Sequence, residues 1–276
     1  MAKKKTTQHN FNEEIEGWSD FMKECYARAE QDKKELSKKL GKNIEYLFLP
    51  NPEYPEVCHN PEICPEPKYL LLCPEPGSPQ EGIRTACFFP PFLHYCAYKY
   101  LCDEKFDYYI TDLSKGAMEK GYVDKTKKER YPVWLSLFEK EWKLLDRPKI
   151  IAVGSTLYDG MMNGFKDCNG KKHKFGCVQS YIFHFTTGKG ASRMKEEYEN
   201  IKRIFPKLDS YRLEESELKK FANILKEHLN LERCNVDSDY YEFLIKDSLK
   251  SHYRDIVFPV YRYNFEQFIE KGNIIH

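Results

Sequence analysis

Long apolar runs are missing from this sequence of 276 residues. No stretch approaches the ~20 apolar residues that a membrane-crossing helix needs, so no membrane partner is expected. The opening ten residues, MAKKKTTQHN, carry lysines with no apolar segment behind them. They do not read as a secretory leader, and the expected location is the cytoplasm. Net charge is nearly absent too, since 44 Lys and Arg against 43 Asp and Glu leave +1. That balance argues against coating nucleic acid by bulk charge and leaves local basic patches as the electrostatic route to it. The ten cysteines lack the close pairs of cluster ligation, whether around Cys58, Cys64 and Cys73 or around Cys87, Cys96 and Cys102. Cys168, His173 and Cys177 are too scattered to argue for zinc. Without a leader, the cysteines read as free thiols rather than as a disulfide framework. No metal or other cofactor is expected.

What is present is a globular composition, 41% hydrophobic and 32% charged, with 20 Tyr, 18 Phe and 3 Trp. Such aromatics can fill a core or stack on flat ligands. Residues 11–40 read as an amphipathic helix, with Ile15, Trp18, Phe21, Met22, Cys25 and Tyr26 at helical spacing and Gly41 as its stop. From Pro50 to Pro79 lie nine of the fifteen prolines. That stretch cannot be one helix and reads as a surface wrap.

Four short apolar runs follow, each ending in polar or glycine residues. Tyr69 to Cys73 leads into Pro74-Glu75-Pro76-Gly77. Tyr108 to Thr111 leads into Asp112-Leu113-Ser114-Lys115. Lys149 to Val153 leads into Gly154-Ser155, and Ser180 to Phe183 leads into His184. Helix-like segments at about 88–102, 132–146 and 156–163 separate them. Strands alternating with helices predict an α/β fold, a three-layer α/β/α sandwich around a short, mainly parallel four-stranded sheet. Helical extensions are expected at both ends, with 192–228 broken near Phe205-Pro206 and 238–276 turning irregular. One domain is expected over 1–276: a helix and proline-rich wrap to 65, a core over 66–205 and an extension over 206–276. Ligands bind beyond the carboxyl ends of strands in such sheets, which places the four polar termini around one crevice.

Those termini, in their order, resemble the strand-end motifs of the uracil-DNA glycosylase superfamily. The resemblance spans roughly residues 66 to 200, about half of the chain. It implies a protein that extrudes a damaged base from single- or double-stranded DNA and hydrolyses its N-glycosidic bond. By resemblance, Glu75 orients or activates water and faces the positive charge that builds on the sugar. Phe89, or its neighbour Phe88, stacks on the base, and Gly77 and Ser155 line the base site. His184 donates to the base as negative charge develops on it. Lys115, Thr186, Thr187 and Lys189 contact the DNA backbone.

Asp112 stands where many members have Asn. An amide both donates and accepts, whereas an ionised carboxylate only accepts and would repel O4 of uracil. Either Asp112 is protonated in a desolvated pocket, or the base differs, or Asp112 is not the reader. The family also often has His-Pro-Ser where this chain has His184-Phe185-Thr186. Basic groups cluster at Lys125, Lys127, Lys128 and Arg130, at Lys166, Lys171, Lys172 and Lys174, and at Lys189 and Arg193. The second group lies in a loop from Gly164 to Gly176 that leads into the fourth strand. Thr187-Gly188-Lys189-Gly190 lacks the first glycine and the final hydroxyl of a phosphate-binding loop. Two rival readings stand beside excision: a non-catalytic nucleic-acid or nucleotide-binding module, and an α/β hydrolase for a small molecule.

Overall fold

Alternation along the central strands decides the architecture. In a strand, successive side chains point to opposite faces, and here both faces are apolar. Leu70, Leu72, Tyr109, Ile150, Ala152 and Val178 pack into one core cluster. Tyr69, Leu71, Cys73, Tyr108, Ile110, Ile151, Val153 and Ile182 pack into a second, on the other face. A sheet buried on both sides needs a helical layer over each, and parallel strands joined by crossover helices supply both layers.

The structure is a computed structural model that describes residues 16–43, 46–48, 66–75, 91–118, 120–185, 189–228 and 238–272. In chain order it contains α1 (Trp18–Leu40), β1 (Tyr46–Phe48), β2 (Tyr69–Cys73), α2 (Pro91–Cys96) continuing into a π turn (Ala97–Leu101), β3 (Tyr108–Asp112) and β4 (Gly116–Met118). There follow α3 (Lys120–Leu144), β5 (Lys149–Val153), α4 (Ser155–Asn163), β6 (Phe165–Lys166), β7 (Lys172–His173), β8 (Val178–Ile182), α5 (Lys189–Ile204) and a 3-10 turn (Pro206–Ser210). The chain ends with α6 (Glu215–His228), α7 (Ser238–Ser248), a second π turn (Tyr253–Val257) and α8 (Phe258–Lys271).

The central sheet has the order β3-β2-β5-β8, and its three pairings are all parallel. The expected α/β/α sandwich is what forms, with its four-stranded sheet parallel throughout. Because β2 is flanked by β3 on one side and β5 on the other, the chain leaves it in opposite directions. The topological switch point therefore lies between the carboxyl ends of β2 and β5.

Both terminal extensions are built into the helical layers. On α1 the buried face is Phe21, Cys25, Ala29, Asp32 and Leu36. Trp134 Nε1 donates to Asp32 Oδ2 at 2.8 Å, tying α1 to α3, and Arg28 Nε, also on α1, donates to Asp32 Oδ1 at 2.7 Å. Gly41 ends α1 in the left-handed conformation, φ 65°. Its N–H reaches Lys38 O, and that of Lys42 reaches Ser37 O, a glycine-closed helix end. On the other face, Tyr261 of α8 donates to Phe183 O at 2.6 Å, and Phe268 packs edge-on against Tyr69 at 6.0 Å. So α8 crosses the sheet from its carboxyl edge back to its amino edge.

Three expectations need correction. The tail stays helical to Lys271 instead of turning irregular, because its Val260, Tyr261, Phe265 and Phe268 face the second core cluster. Helix α3 starts at Lys120 and carries Pro132 in its interior; burial of Tyr131, Trp134, Leu135 and Phe138 outweighs the missing N–H. The Gly164 to Gly176 loop contains an antiparallel hairpin, β6–β7. The start of the expected first helix, 11–15, and most of the proline-rich stretch lie outside the described residues.

Histidine burial gives the fold an acid limit. Burial holds His94 at about 3, with a smaller push from His228. It holds His228 and His184 at about 4. A folded value below the unfolded 6.5 means that stability is complete above pH 6.5 and is lost as pH falls through about 4. Each group costs up to about 2 kcal/mol at pH 5, by 1.4 kcal/mol per unit. The three cost up to about 6 kcal/mol together, and buried Asp112, whose value is raised to about 8, returns about 2 kcal/mol over the same range. We therefore expect Tm to fall by roughly 8–16 °C between pH 6.5 and 5, read by circular dichroism melting. A flat Tm across that range rules the account out.

Candidate active site

The parallel strands bring four polar termini to one edge of the sheet. Cys73 of β2 and Asp112 of β3 are register partners. Beyond them, Leu113 N–H donates to Cys73 O at 2.8 Å and Ser114 N–H to Pro74 O at 3.2 Å. The chain after β3 thus runs beside Pro74 and Glu75. On the far side of the switch point, Gly154 N–H donates to Ile182 O at 2.7 Å. A Cβ on Gly154 would stand 3.7 Å from the Cβ of His184. Glu75 and Asp112 therefore form one neighbouring pair of termini, and Gly154-Ser155 and His184 the other. Ser155 is the first residue of α4.

Glu75 is held at both oxygens. Arg130 Nη2 donates to Oε2 at 2.7 Å and the Tyr131 hydroxyl to Oε1 at 2.8 Å. Arg130 is itself only 1% exposed. Its other nitrogens reach Ser114 Oγ at 3.1 Å and Thr126 Oγ1 at 3.0 Å. One guanidinium thus clamps the ends of β2 and β3 together, a use of the planar fork that an ammonium does not match. Arg130 and Tyr131 are site residues that sequence reasoning missed. By sequence Arg130 belongs to a basic cluster with Lys125, Lys127 and Lys128, and the structure turns it inward.

Asp112 has the opposite environment. It is 1% exposed, and among the described residues neither carboxyl oxygen has a hydrogen-bond partner. Burial raises it to about 8; the nearby Lys115 charge opposes this, and the Glu75 and Glu141 charges add to it. A carboxyl in that state is neutral at pH 7, and a neutral carboxyl offers one donor and one acceptor. The neighbouring Cys73 thiol is also pushed well up by burial, and further by Asp112, so it stays a thiol.

His184 stacks on Phe185, with ring centroids 4.5 Å apart and planes 23° apart. Burial holds it at about 4, so its imidazole is neutral at pH 7. Its Nδ1 is buried and has no hydrogen-bond partner among the described residues. Phe185 packs edge-on against Phe92, which stacks on Tyr253 at 5.2 Å. The C-terminal π turn therefore supplies part of the aromatic wall behind His184.

Lys115 does not reach outward as a backbone contact. It is 2% exposed. Its Nζ donates to Glu141 Oε2 and Asp112 O, both at 2.7 Å, and to Thr111 Oγ1. An ammonium buried among three acceptors is a fixture of the fold, which corrects its assignment to DNA. Lys189 opens α5. Gly77, Phe88, Phe89, Thr186 and Thr187 lie outside the described residues, as do Cys58 and Cys64.

Cys168 and Cys177 are exposed free thiols, and His173 Nε2 is engaged with Asp167 Oδ2 at 3.0 Å. Among the described residues, no group of three His, Cys, Asp or Glu is placed to hold a metal ion. No helix among them is long and apolar enough to cross a membrane. No protein-family model, curated protein or solved structure matches the chain.

Proposed function

We propose that the chain is a glycosylase-like protein that takes a base extruded from DNA at the carboxyl edge of its sheet and hydrolyses the N-glycosidic bond. The observation that carries this reading is Asp112, a buried carboxyl with both oxygens unpartnered among the described residues and a value raised to about 8 by burial. In its neutral form it donates to a ring carbonyl and accepts from the adjacent N–H. That is the lactam edge of a deaminated base such as uracil or hypoxanthine. The mismatch posed by Asp in place of Asn is thereby removed, because a carboxylic acid and an amide present the same donor and acceptor.

Glu75 then serves as a fixed negative charge, oriented by Arg130 and Tyr131, facing the sugar as positive charge develops on it. Water hydrogen-bonded to its remaining lone pairs forms the C1′–O bond as the C1′–N bond breaks, sheds its proton to the Glu75 carboxylate, and the base leaves with the electron pair of the broken bond. His184 in its neutral form donates to the departing base. Ser155 belongs to the same edge, and Phe89, Gly77, Thr186, Thr187 and Lys189 keep the roles the resemblance gives them.

The test is incubation of the pure protein with oligonucleotides carrying uracil, hypoxanthine, xanthine or a mismatch, followed by alkali. Strand cleavage at the altered base is the expected result; intact strands at high protein concentration remove the excision claim. A second reading, a base-binding module without turnover, is favoured by one observation: both oxygens of Glu75 are already engaged. Binding that survives Glu75→Gln, with no product from either protein, selects it.

A further inference from the structure

The β6–β7 hairpin carries a charge arrangement that the fold leaves unbalanced. Lys166 and Lys172 are direct cross-strand partners, and both are exposed. Like charges placed directly opposite each other repel and destabilise a hairpin. Lys171 in the turn and Lys174 beyond β7 are exposed as well. Among the described residues, none of the four ammonium groups forms an ion pair, although Lys39, Lys99, Lys140, Lys143, Lys202, Lys219 and Lys250 all do. Asp167, the acid within the hairpin, is already used. Its Oδ1 accepts from the N–H groups of Asn169 and Lys171, both at 2.9 Å, and its Oδ2 faces His173. In a chain of net charge +1, four uncompensated cations on so short an element are a local feature and not a share of general basicity.

The hairpin is also rigidly rooted beside the candidate site. Alternation along β6 turns Phe165 inward when Lys166 faces out. Phe165 packs edge-on against Tyr131 at 5.3 Å, and Tyr131 is the residue that holds Glu75. Phe165 also lies so close over α4 that a Cβ on Gly160 would meet its ring at 2.0 Å. Phe175, on the far side, packs against Phe138 and Trp142 of α3. The lysines therefore project from a fixed base, one residue from the contact that reaches the Glu75 clamp.

We infer that the β6–β7 hairpin is a phosphodiester clamp, in which Lys166, Lys171, Lys172 and Lys174 hold the backbone of a nucleic-acid strand whose base enters the carboxyl-edge crevice. A strand of evenly spaced phosphates relieves the Lys166–Lys172 repulsion, and its binding releases counterions in proportion to the contacts made. The inference rests on the nucleobase reading above for what the crevice does with the strand, and names the element that grips the backbone.

The experiment is fluorescence polarisation with the full chain and a labelled 20-nucleotide single strand of undamaged sequence, titrated from 50 to 300 mM salt. The fourfold variant Lys166→Gln, Lys171→Gln, Lys172→Gln, Lys174→Gln is expected to bind about 10–100-fold more weakly at 50 mM. Its log Kd against log salt should be shallower by about 2–3, at ~0.7 per lost contact. The control variant Lys149→Gln, Lys246→Gln, also exposed, should leave the slope in place. Melting curves check folding, and the milder pair Lys166→Gln, Lys172→Gln replaces the fourfold variant if that one does not fold. Three results overturn the clamp: an unchanged slope, an equal loss in the control, or polyglutamate competing as well as the oligonucleotide at equal charge, which assigns the patch to an acidic protein. The two proposals fail separately. Intact strands in the excision assay leave the salt slope standing, and an unchanged slope leaves any excision product standing.

Discussion

Replacing Lys115 with Met should lower Tm by about 10 °C, and removing its partner as well should restore most of the loss. Lys115 and Glu141 are 2% and 0% exposed and lie 2.7 Å apart. Glu141 is also served at Oε1 by Thr111 at 2.9 Å and Tyr109 at 3.2 Å. A buried pair of this kind adds little over an apolar pair of equal shape, because desolvation offsets the attraction. Taking away one member is different. Lys115→Met strands a carboxylate in the interior with two hydroxyl donors and no cation, at a cost of about 3–5 kcal/mol. At 2–4 °C per kcal/mol for a chain of this size, that is the Tm shift given. The double variant Lys115→Met, Glu141→Leu removes both charges and should recover to within about 1–2 kcal/mol of the parent. Urea unfolding of the three proteins measures it. A Lys115→Met protein as stable as the parent, but weaker on DNA, would return this lysine to the backbone-contact role read from the sequence.

How much of this was legible differs by element, for physical reasons. The sheet was legible because its signal is local. Tyr69 to Cys73 and Lys149 to Val153 are short apolar runs bounded by Pro and Gly, and each forms a strand over those residues. Gly41 as a helix stop was legible because a left-handed residue after a periodic run is a local demand. The β6–β7 hairpin was legible in principle, since Asn169-Gly170 is a turn dipeptide and Gly170 takes φ 79°. Arg130 and Lys115 were not. Each sits among residues that read as solvated, and each finds its partner far away in sequence: Glu75 lies 55 residues before Arg130, and Glu141 lies 26 after Lys115. Charge type and spacing do not reveal which cation turns inward when the deciding acid comes from another layer. Asp112 shows the same limit from the other side. Its position at a strand end could be read, but its protonation depends on desolvation by segments remote in the chain.

That protonation makes Asp112→Asn the sharpest single substitution. The folded carboxyl stands at about 8, against 3.8 for the free side chain. Between those values the folded protein keeps a proton that the unfolded chain has released, so stability falls as pH rises from about 4 and levels off above about 8. About four units at 1.4 kcal/mol each give a gross penalty near 6 kcal/mol at pH 9, and relaxation of the site should leave about 2–4 of it. Asparagine has the same shape and no charge to desolvate. The Asp112→Asn protein should therefore match the parent within about 2 °C at pH 5 and exceed it by about 5–10 °C at pH 9. A Tm difference that is the same at both pH values means that this carboxyl is not the buried neutral group. The same titration governs base recognition. Above pH 8 the parent loses its donor, and binding of a lactam base should fall about tenfold per pH unit. The amide of Asp112→Asn donates at every pH, so its binding should show none of that fall. Parent and variant compared on one oligonucleotide cancel any titration of the base itself. Parallel pH profiles would take Asp112 out of base reading even if its burial is confirmed by the melting data.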